Sequence, residues 1–243
     1  MTEPSERAVA GDVLLRGRGL TRRFGERTAV DGVDIELRRG ERLVVLGANG
    51  AGKSTLLRII ATLLRPEAGE LTVCGHPCPE QAAAARGHIG LLGHEPMLYR
   101  DLSAVQNLEF FADLHGLGDM RERIMDALER VGLLARTHDP VRTFSRGMAQ
   151  RLGLARVLLA EPELLLLDEP HAGLDAPGLR LLDAEIGAER PDRGILMVTH
   201  EVRRGVALAD RAMVLRRGRC VLDESVTDVD PEAFARRYEE LIA

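Results

Sequence analysis

Tryptophan is absent from the chain, and aromatic residues make up only 3% of its 243 residues. Surfaces that stack nucleic-acid bases depend on aromatic side chains, so no surface of this kind is expected. The formal net charge of 33 − 38 = −5 also disfavours broad attraction to phosphate backbones. The composition therefore predicts that the chain binds no nucleic acid.

Long apolar runs are also missing, and cysteines are few. No run approaches the roughly 18–20 residues of a membrane-spanning helix, so direct insertion into a membrane is not expected. Three cysteines cannot form a disulfide framework, which fits a reducing compartment. The first residues lack the basic and apolar stretch of a secretory signal. We therefore predict a polar N-terminal tail at residues 1–12 and a cytoplasmic protein.

Lysine is almost absent. Of 33 basic residues, 32 are arginine and one is lysine, at Lys53. The lysine ammonium is a compact point charge on a flexible stem, whereas the arginine guanidinium is a planar fork. We expect that whatever Lys53 contacts requires the point charge.

Hydrophobic periodicity predicts an α/β core. Residues 13–20 and 28–37 alternate like strands around a turn at residues 24–26, and 45% hydrophobic content suffices for a sizeable core. A helix is predicted at 53–64, and an alanine-rich helix lies between strands at 70–74 and 89–92. That strand–helix–strand order predicts parallel α/β architecture. Further strands are predicted at 42–46, 164–167, 194–199 and 212–215, the last with a hairpin partner at 218–222.

The strand pattern stops between about residues 95 and 160. Helices are predicted there at 104–115, 120–131 and 146–159, and a last amphipathic helix follows Asp230 at 231–241. We therefore predict one domain at 13–243. Its core spans 13–94 and 161–222, with a helical insert at 95–160 and a C-terminal helix within 231–243.

The segment from Gly47 to Thr55 carries the first chemical motif. It fits GxxxxGK[ST] directly after a predicted strand and before a predicted helix, which favours a P-loop over a plain glycine turn. Its glycines allow main-chain N–H groups to approach phosphate, Lys53 is expected to reach the β- and γ-phosphates, and the Ser54 hydroxyl is expected to bind Mg²⁺. The predicted ATP-binding residues here are Gly47, Ala48, Asn49, Gly50, Ala51, Gly52, Lys53, Ser54 and Thr55.

Two acids follow the apolar strand at 164–167. Ligands bind at the ends of parallel strands, so Asp168 is predicted to lie beside the P-loop and to hold Mg²⁺. Glu169 is predicted to face the attacking water as general base. Alone, these acids are also compatible with an ordinary acidic helix start before Pro170.

A third motif narrows the reaction class. The sequence Phe-Ser-Arg-Gly-Met-Ala-Gln-Arg occupies 144–151, and Ser145 lies 168 − 145 = 23 residues before Asp168. With this spacing the chain resembles the ATP-binding-cassette family, whose signature LSGGQxQR lies in a helical insert before the magnesium-binding aspartate. The resemblance covers roughly residues 13–222. It implies a P-loop NTPase (RecA-like) α/β core with an antiparallel β subdomain and an inserted helical signature subdomain.

The resemblance also implies roles for residues outside these motifs. Phe24 matches the aromatic residue that stacks on adenine, Asp175 the loop that meets a partner subunit, and His200 the switch histidine near the γ-phosphate. In the family two cassettes pack head to tail around ATP, so Ser145 and Gly147 are expected to contact a γ-phosphate bound by the second copy. ATP and Mg²⁺ are the implied ligands, and integral membrane transporter subunits, carried on separate chains, are the implied partners. The implied location is the cytoplasmic face of the cell membrane.

Three positions depart from the family pattern. Arg146 replaces a signature glycine, where it either adds charge near nucleotide or points to solvent, and Met148 replaces a glutamine that could contact nucleotide. His94 stands where the family has a glutamine that contacts magnesium and water. Neutral imidazole is a poor Mg²⁺ ligand, so His94 is predicted to act through water or to transmit the position of the insert, unless its role is purely structural.

Segments at residues 62–66, 93–96, 101–111 and 142–148 resemble the ATP-binding subunit of the haem exporter of cytochrome c maturation (CcmA-like), and also subunits of multidrug or antibiotic exporters. The main prediction is thus the ATP-hydrolysing subunit of a haem exporter, and the alternative is a multidrug exporter. Rivals of other classes are a soluble cassette ATPase acting on ribosomes or DNA, and a P-loop kinase.

Two further features of the sequence each allow two interpretations. Cys74, His76 and Cys78 either form a turn or hold a metal. Residues 102–111 belong either to the core of the insert or to a groove for a membrane subunit.

Overall fold

The computed structural model describes residues 12–242. The predicted tail at 1–12, apart from Asp12, therefore lies outside the described residues, as does Ala243 at the end of the predicted C-terminal segment. Helices and strands are numbered below in chain order.

A six-stranded sheet forms the centre of the fold. Its strands are, in spatial order, β10 (Arg219–Ser225), β9 (Arg211–Arg216), β3 (Arg42–Leu46), β8 (Gly194–Val198), β7 (Leu164–Asp168) and β6 (Ile89–Leu92). All neighbours are parallel except the β9–β10 hairpin. Parallel strands covered on both faces are nearly continuous apolar runs, and Leu164 to Leu167 are fully buried. The predicted strands of this sheet, including the hairpin, are confirmed.

A second, four-stranded antiparallel sheet lies beside the first. Its order is β2 (Arg27–Arg38), β1 (Val13–Phe24), β4 (Ala68–Val73) and β5 (His76–Cys78). The prediction that the strand at 70–74 joins 89–92 in one parallel sheet is wrong. Instead β4 pairs with β1, with Leu15 opposite Val73. This pairing still buries Leu71 and Val73, because the core between the two sheets receives apolar side chains from both.

Helix α1 (Lys53–Ile60) leads away from β3, and α2 (Ala82–Arg86) precedes β6. The prediction that α1 continues to residue 64 is wrong at its C-terminal end. The helix ends because Thr62 takes a left-handed conformation with φ of 58°, which turns the chain towards β4. Its buried face still packs Leu56, Leu57 and Ile60 into the core between the two sheets.

Three helices between β6 and β7 surround a separate apolar cluster. They are α3 (Ala104–Leu114), α4 (Arg121–Arg130) and α5 (Arg146–Leu159), with 3-10 turns at Leu134–Arg136 and Val141–Thr143. Ser103 begins α3 in a capping box with Gln106, whose side chain accepts from the Ser103 N–H at 2.9 Å. The cluster is centred on Leu108, Ile124, Leu128 and Leu152, so the three helices share a core of their own.

Helices α6 (Ala176–Gly187) and α7 (Val202–Leu208) follow β7 and β8, and neither is among the helices predicted from periodicity. The C-terminal helix α8 (Pro231–Ile242) is confirmed. Phe234 and Tyr238 of α8 are buried against the face of the large sheet opposite α1. The large sheet is therefore covered on both faces, and only the ends of its strands remain open for a ligand.

Candidate functional site

An open cavity of about 570 Å³ lies at the carboxyl ends of β3 and β7. It is the place where ligands bind in parallel α/β sheets. The structure brings several predicted site residues together here, from segments more than 100 positions apart in sequence. The residues that line the cavity are Phe24, Arg27, Ala29, Asn49, Gly50, Gly52, Lys53, Ser54, Thr55, Arg58, His94, Asp168 and Glu169.

The loop between β3 and α1 requires glycine for steric reasons. Gly52 has φ of 109°, and a Cβ atom there would collide with the carbonyl oxygen of Ala29. At Gly47 an added Cβ would lie 2.5 Å from the carbonyl oxygen of Leu215. At these two positions only a residue without a side chain fits, so the loop wraps tightly at the start of α1 with its N–H groups available to an anion.

Lys53 is the first residue of α1, and its ammonium lies inside the loop. Nζ donates to the carbonyl oxygens of Gly47 at 2.7 Å and Ala48 at 3.3 Å. Burial lowers the pKa of Lys53, and the nearby carboxylates of Glu169 and Asp168 partly oppose that effect. The buried side chain is thus held at the cavity wall, with a third ammonium donor not used by these two bonds.

Ser54 and Asp168 meet across the cavity from α1 and β7. The Ser54 hydroxyl donates to Oδ1 of Asp168 at 3.3 Å. Burial raises the pKa of Asp168, and the hydrogen bond from Ser54 acts in the opposite direction. A hydroxyl and a carboxylate are oxygen donors of the kind that Mg²⁺ prefers, so the donor set fits this ion.

Glu169 directly follows β7 and is held by Thr199 and His200, the two residues that follow β8. Its Oε2 atom accepts from the Thr199 hydroxyl at 3.1 Å and from the His200 N–H at 3.3 Å, and lies 2.8 Å from His200 Nδ1. Glu169 also has a φ of 49°, a conformation that costs free energy for a residue with a side chain. These contacts hold the carboxylate at the cavity, beside His200.

His94 lies on the loop between β6 and α3, and its exposed side chain lines the cavity. Its carbonyl oxygen accepts from Nε2 of the buried Gln150 on α5 at 2.8 Å. The loop at the cavity is therefore tied to the first turns of the signature helix, which is the physical link that the predicted positional role of His94 requires.

Phe24 forms an exposed edge of the cavity, with 51% of its surface accessible. The guanidinium of Arg22 lies 5.1 Å from the centre of its ring, and Arg27 donates to the carbonyl oxygen of Gly50 at 2.9 Å. The aromatic ring and the loop are thus held on the same side of the cavity, with one ring face left for a flat ligand.

The signature residues at 145–148 lie away from this cavity. Within residues 12–242, none of Ser145, Arg146, Gly147 and Met148 lines this cavity. Ser145 is exposed and caps α5, accepting from the Met148 N–H at 3.2 Å. The Met148 side chain packs against the core of the insert.

Arg146 is exposed, and its side chain crosses the main chain at Gly173. The buried Gly147 lies against Asp175, because a Cβ added to Gly147 would be 3.0 Å from Asp175 Cγ. Asp175 caps α6 through the Gly178 N–H at 3.0 Å and pairs with Arg151 of α5 at 3.4 Å. The signature and the loop after Glu169 thus form one continuous surface within a single copy.

A second cavity, which we call the insert groove, lies between α1, α2, β6 and the helices of the insert. Its volume is about 540 Å³, and its lining residues are Ala61, Leu63, Ala83, Arg86, Gly87, Ile89, Leu91, Met97, Phe111, Leu114, His115, Leu117, Arg156 and Ala160. Residues 102–111 lie partly in the core of the insert and partly at this groove. Leu108 is fully buried in the insert and Leu102 is half-buried, whereas Phe111 lines the groove and Phe110 is 39% exposed.

The cysteines and the lack of long apolar runs, both noted in the sequence, can be placed in the structure. Cys74 and His76 lie at the β4–β5 turn, and Cys74, Cys78 and Cys220 are free. In the described range 12–242, no group of three or more histidine, cysteine or acidic side chains is placed to hold a metal. Over the same range, no helix combines the length and apolar character that a membrane span needs.

Several residues at or beside the cavity were not predicted from sequence as site residues. Arg27 and Arg58 line the cavity, Thr199 donates to Glu169, and Gln150 donates to the carbonyl oxygen of His94. Gln150 gave a usable signal, because it belongs to the signature motif and is a polar residue on the apolar side of α5. The other three follow from the packing of separate segments and gave none.

Comparison with known proteins assigns the chain to a family. The family model described as ABC transporter matches residues 30–172. The daunorubicin resistance ATP-binding protein DrrA3 of Streptomyces coeruleorubidus is 38% identical, over 95% of this chain and 74% of its own length. The linearmycin resistance ATP-binding protein LnrL of Bacillus subtilis is 32% identical, over 89% and 70%. The aliphatic sulfonates import ATP-binding protein SsuB 1 of Nocardia farcinica is 41% identical, over 89% and 84%.

Solved structures agree with this assignment. An ATP-binding subunit of an ABC transporter superposes with a TM-score of 0.86 at 26% identity, covering 94% of this chain and 99% of that one. The ATP-binding cassette MJ0796, a dimer in a post-hydrolysis state bound to ADP and Pi, gives 0.77 at 25% identity, covering 87% and 98%. The predicted fold class is confirmed.

Proposed function

This chain belongs to the ABC transporter family, and from that premise we propose that it powers the export of small organic compounds through integral membrane subunits. As an ATP-binding subunit of the family it binds ATP with Mg²⁺ and hydrolyses it. We propose that the cavity binds ATP and that the signature residues contact the ATP of a second copy. One observation supports this proposal most directly. The phosphate-binding loop and both acids share one cavity, while the signature residues lie outside it.

We assign the nucleotide to the cavity at the ends of β3 and β7. The main-chain N–H groups of the P-loop and the Lys53 ammonium would hold the phosphates, and the face of Phe24 opposite Arg22 would stack on the adenine. Ser54 and Asp168 would hold Mg²⁺, since a hydroxyl and a carboxylate 3.3 Å apart suit this ion. When bound, the ion neutralises phosphate charge and helps to orient the leaving group.

Glu169 is proposed as the general base that takes a proton from the attacking water. Three hydrogen-bond donors converge on Oε2, which orients the carboxylate and leaves Oε1 directed to other partners. His200 would hold Glu169 in place and reach towards the γ-phosphate. Loss of the contacts that Thr199 and His200 make to Glu169 would misplace the base rather than weaken nucleotide binding.

Completion of the site requires a second copy of the chain. A nucleotide in the cavity would face solvent on the side of its γ-phosphate, because the lining described here contains no signature residue. In a head-to-tail dimer the exposed Ser145 and the main chain at Gly147 would cover that side, with Arg146, Met148 and Asp175 at the interface. ATP would hold the two copies together, and its hydrolysis would release them.

His94 is proposed to report nucleotide state to the helical insert. Its side chain lines the cavity, and its carbonyl oxygen is bonded to Gln150 at the start of the signature helix. A shift of this loop on ligand binding would therefore be passed to α5 through the Gln150 bond. The insert groove lies on the same helical unit and is the proposed contact with the membrane subunits, at the cytoplasmic face of the membrane.

The names of the relatives bear on the cargo. DrrA3 and LnrL are named for resistance to drug molecules, which favours a multidrug or antibiotic exporter, whereas SsuB 1 is named for import. None of these relatives is named for haem export, so the haem exporter predicted from short segments has less support than the drug exporter. A soluble ATPase on ribosomes or DNA is the rival of another class.

Co-purification tests the proposal. The tagged chain should be isolated from detergent-solubilised native cells in excess of ATP, and its partners identified by mass spectrometry. The proposal predicts an integral membrane protein in stoichiometric amount. Ribosomal proteins or nucleic acid in its place would refute the transport role, and resistance to drugs lost on deletion of the gene would separate drug export from haem export and import.

A further inference from the structure

A buried histidine follows Glu169 and Pro170 in the chain. The side chain of His171 is only 3% exposed. Its Nε2 atom lies 3.0 Å from Oδ1 of Asp183 on α6, whereas Nδ1 is buried and has no hydrogen-bond partner within residues 12–242. Buried polar atoms without a partner are rare and costly in native proteins. An apolar side chain would fill the same space without this cost, so packing alone does not account for a histidine here.

The surroundings of His171 determine which ring nitrogen carries the proton. A carboxylate only accepts hydrogen bonds, so the proton of the neutral ring lies on Nε2, which donates to Asp183. Burial and the positive charge of Arg204 lower the pKa of His171, and they outweigh the opposing effects of Asp183 and Glu201. A second proton, on Nδ1, would have no acceptor in this position. The ring is therefore a neutral donor with one fixed partner.

Asp183 extends this contact to a third segment of the chain. Its Oδ2 atom accepts from Nη2 of Arg204 at 2.6 Å. Arg204 lies on α7, which begins at Val202, just after His200. The bonded residues His171, Asp183 and Arg204, which we call the α6 bridge, therefore connect the loop that follows Glu169 to the helix that follows His200.

The same two segments also meet at the cavity, where Thr199 and His200 donate to Glu169. A single attachment would let the loop after β7 turn about it, whereas a second attachment at the α6 bridge fixes its orientation. The loop between the two attachments is tight, because the Ala172 N–H donates to the carbonyl oxygen of Glu169 at 3.0 Å. Glu169 needs such support, since its φ of 49° is a costly conformation that persists only where the surrounding structure imposes it.

We propose that His171 is a positioning residue for ATP hydrolysis, which through Asp183 and Arg204 holds Glu169 and His200 in the relative orientation that the chemical step requires. A shift of about 1 Å in a catalytic group can cost about 10²-fold in rate, so loss of the α6 bridge acts on turnover. In the described chain no residue of the bridge lines the cavity, so ATP binding does not depend on it. This inference rests on the proposed function of Glu169 as base and adds what keeps that base in place.

Two substitutions separate the hydrogen bond of His171 from the shape of its side chain. His171→Phe keeps a ring of similar size and removes the donor, whereas the amide nitrogen of His171→Gln can take the place of Nε2. We expect His171→Phe to lower kcat about tenfold or more with a change in KM for ATP of less than about twofold, and His171→Gln to keep kcat within about threefold of the wild type. Steady-state ATPase assays of the full chain give both constants. An unchanged kcat in His171→Phe, an effect confined to KM, or an equal loss in His171→Gln would overturn the inference.

Arg204→Met tests the α6 bridge from its other end, at a half-buried side chain, and so provides the result if thermal unfolding shows that His171→Phe does not fold. It should also lower kcat with little change in KM. Arg203→Met is the matched control, because Arg203 is exposed on the same helix and pairs with Glu232 outside the bridge. The control should keep kcat within about twofold of the wild type. An Arg204 variant as active as this control would overturn the inference.

A double variant separates this inference from the proposed base. In Glu169→Gln no base is left to be positioned, so the addition of His171→Phe should change the single-turnover rate by less than about twofold. A further loss as large as in the wild-type background would show that His171 acts independently of Glu169, and would overturn the inference while the base keeps its role. Full turnover in Glu169→Gln alone would instead refute the proposed function of Glu169, and the inference with it.

Discussion

Replacement of Glu169 by glutamine tests the proposed base with little change in shape. The glutamine amide oxygen can accept the three hydrogen bonds that Thr199 and His200 now donate to Oε2. The side chain should therefore keep its position, and Lys53 and the P-loop, which bind the phosphates in this proposal, are untouched. The variant loses only the ability to take up a proton, so we expect ATP binding to be retained and turnover to be nearly abolished.

The expected magnitude follows from the role of a general base. Such a group contributes about 10²–10⁴-fold to the rate, which corresponds to about 2.7–5.4 kcal/mol in the activation free energy. Because hydrolysis is what releases the dimer in this account, the variant should also accumulate as an ATP-bound dimer.

Single-turnover hydrolysis of radiolabelled ATP measures the chemical step, and equilibrium binding of a fluorescent ATP analogue measures affinity. Glu201→Gln is the matched control, because Glu201 is an exposed acid next to His200 that does not line the cavity. A Glu169→Gln variant that keeps more than a tenth of the wild-type rate would remove Glu169 from the proposed role.

Three further predictions concern Gly52 in the P-loop, His94 beside the cavity, and the ion pair between Asp210 and Arg42. Gly52→Ala should abolish ATP binding in equilibrium titration, because its Cβ would collide with Ala29; retained affinity would contradict the steric argument. His94→Ala should lower the ATPase rate with little change in ATP affinity, because the loop that carries His94 joins the cavity to α5; an unchanged rate would exclude His94 from this role. Burial raises the pKa of Asp210, but hydrogen bonds from Arg42 outweigh burial and the net pKa is lowered. Asp210 therefore stabilises the fold above about pH 4 and loses this effect as pH falls through the lowered pKa. Asp210→Asn should cost about 1–3 kcal/mol at pH 7 in urea unfolding and much less at pH 2; equal losses at both values would refute the ion pair.

The parts of the fold that the sequence predicts well depend on local patterns. Fully buried parallel strands are apolar runs, so β3, β7 and β8 are visible without knowledge of their partners. The P-loop has strict spacing between a strand and a helix, and its glycines are required at positions where a Cβ would collide. The signature helix α5 has the bounds predicted from its motif, because Ser145 is both a motif residue and the cap.

Features that depend on distant pairing are not visible in the sequence. The strand β4 looks like a member of the parallel sheet, yet it pairs with β1, more than 50 residues earlier. Helix α7 has seven residues, two of them arginine, so it carries too little periodicity to be recognised. Helix α6 did leave a signal, since Asp175 as cap and Pro177 at the first turn indicate a helix start.

The same distinction between local patterns and distant packing applies to the candidate site. Its P-loop residues and both acids come together in one cavity, but some hydrogen bonds that hold the site come from contacts that no motif predicts, such as Thr199 to Glu169 and Gln150 of the signature helix to the His94 carbonyl. Packing between segments places these residues, so no local rule predicts them.

Mixing two inactive variants tests the central claim, that each ATP is held by the P-loop of one copy and the signature of another. Lys53→Ala removes the phosphate contact, and Ser145→Arg blocks the signature surface; each variant alone should lack ATPase activity. In a head-to-tail dimer of one chain of each kind, one of the two sites combines an intact Lys53 with an intact Ser145. An equimolar mixture should therefore recover about a quarter of the wild-type rate, since half the dimers are mixed and each has one complete site. A mixture as inactive as its components would contradict the account.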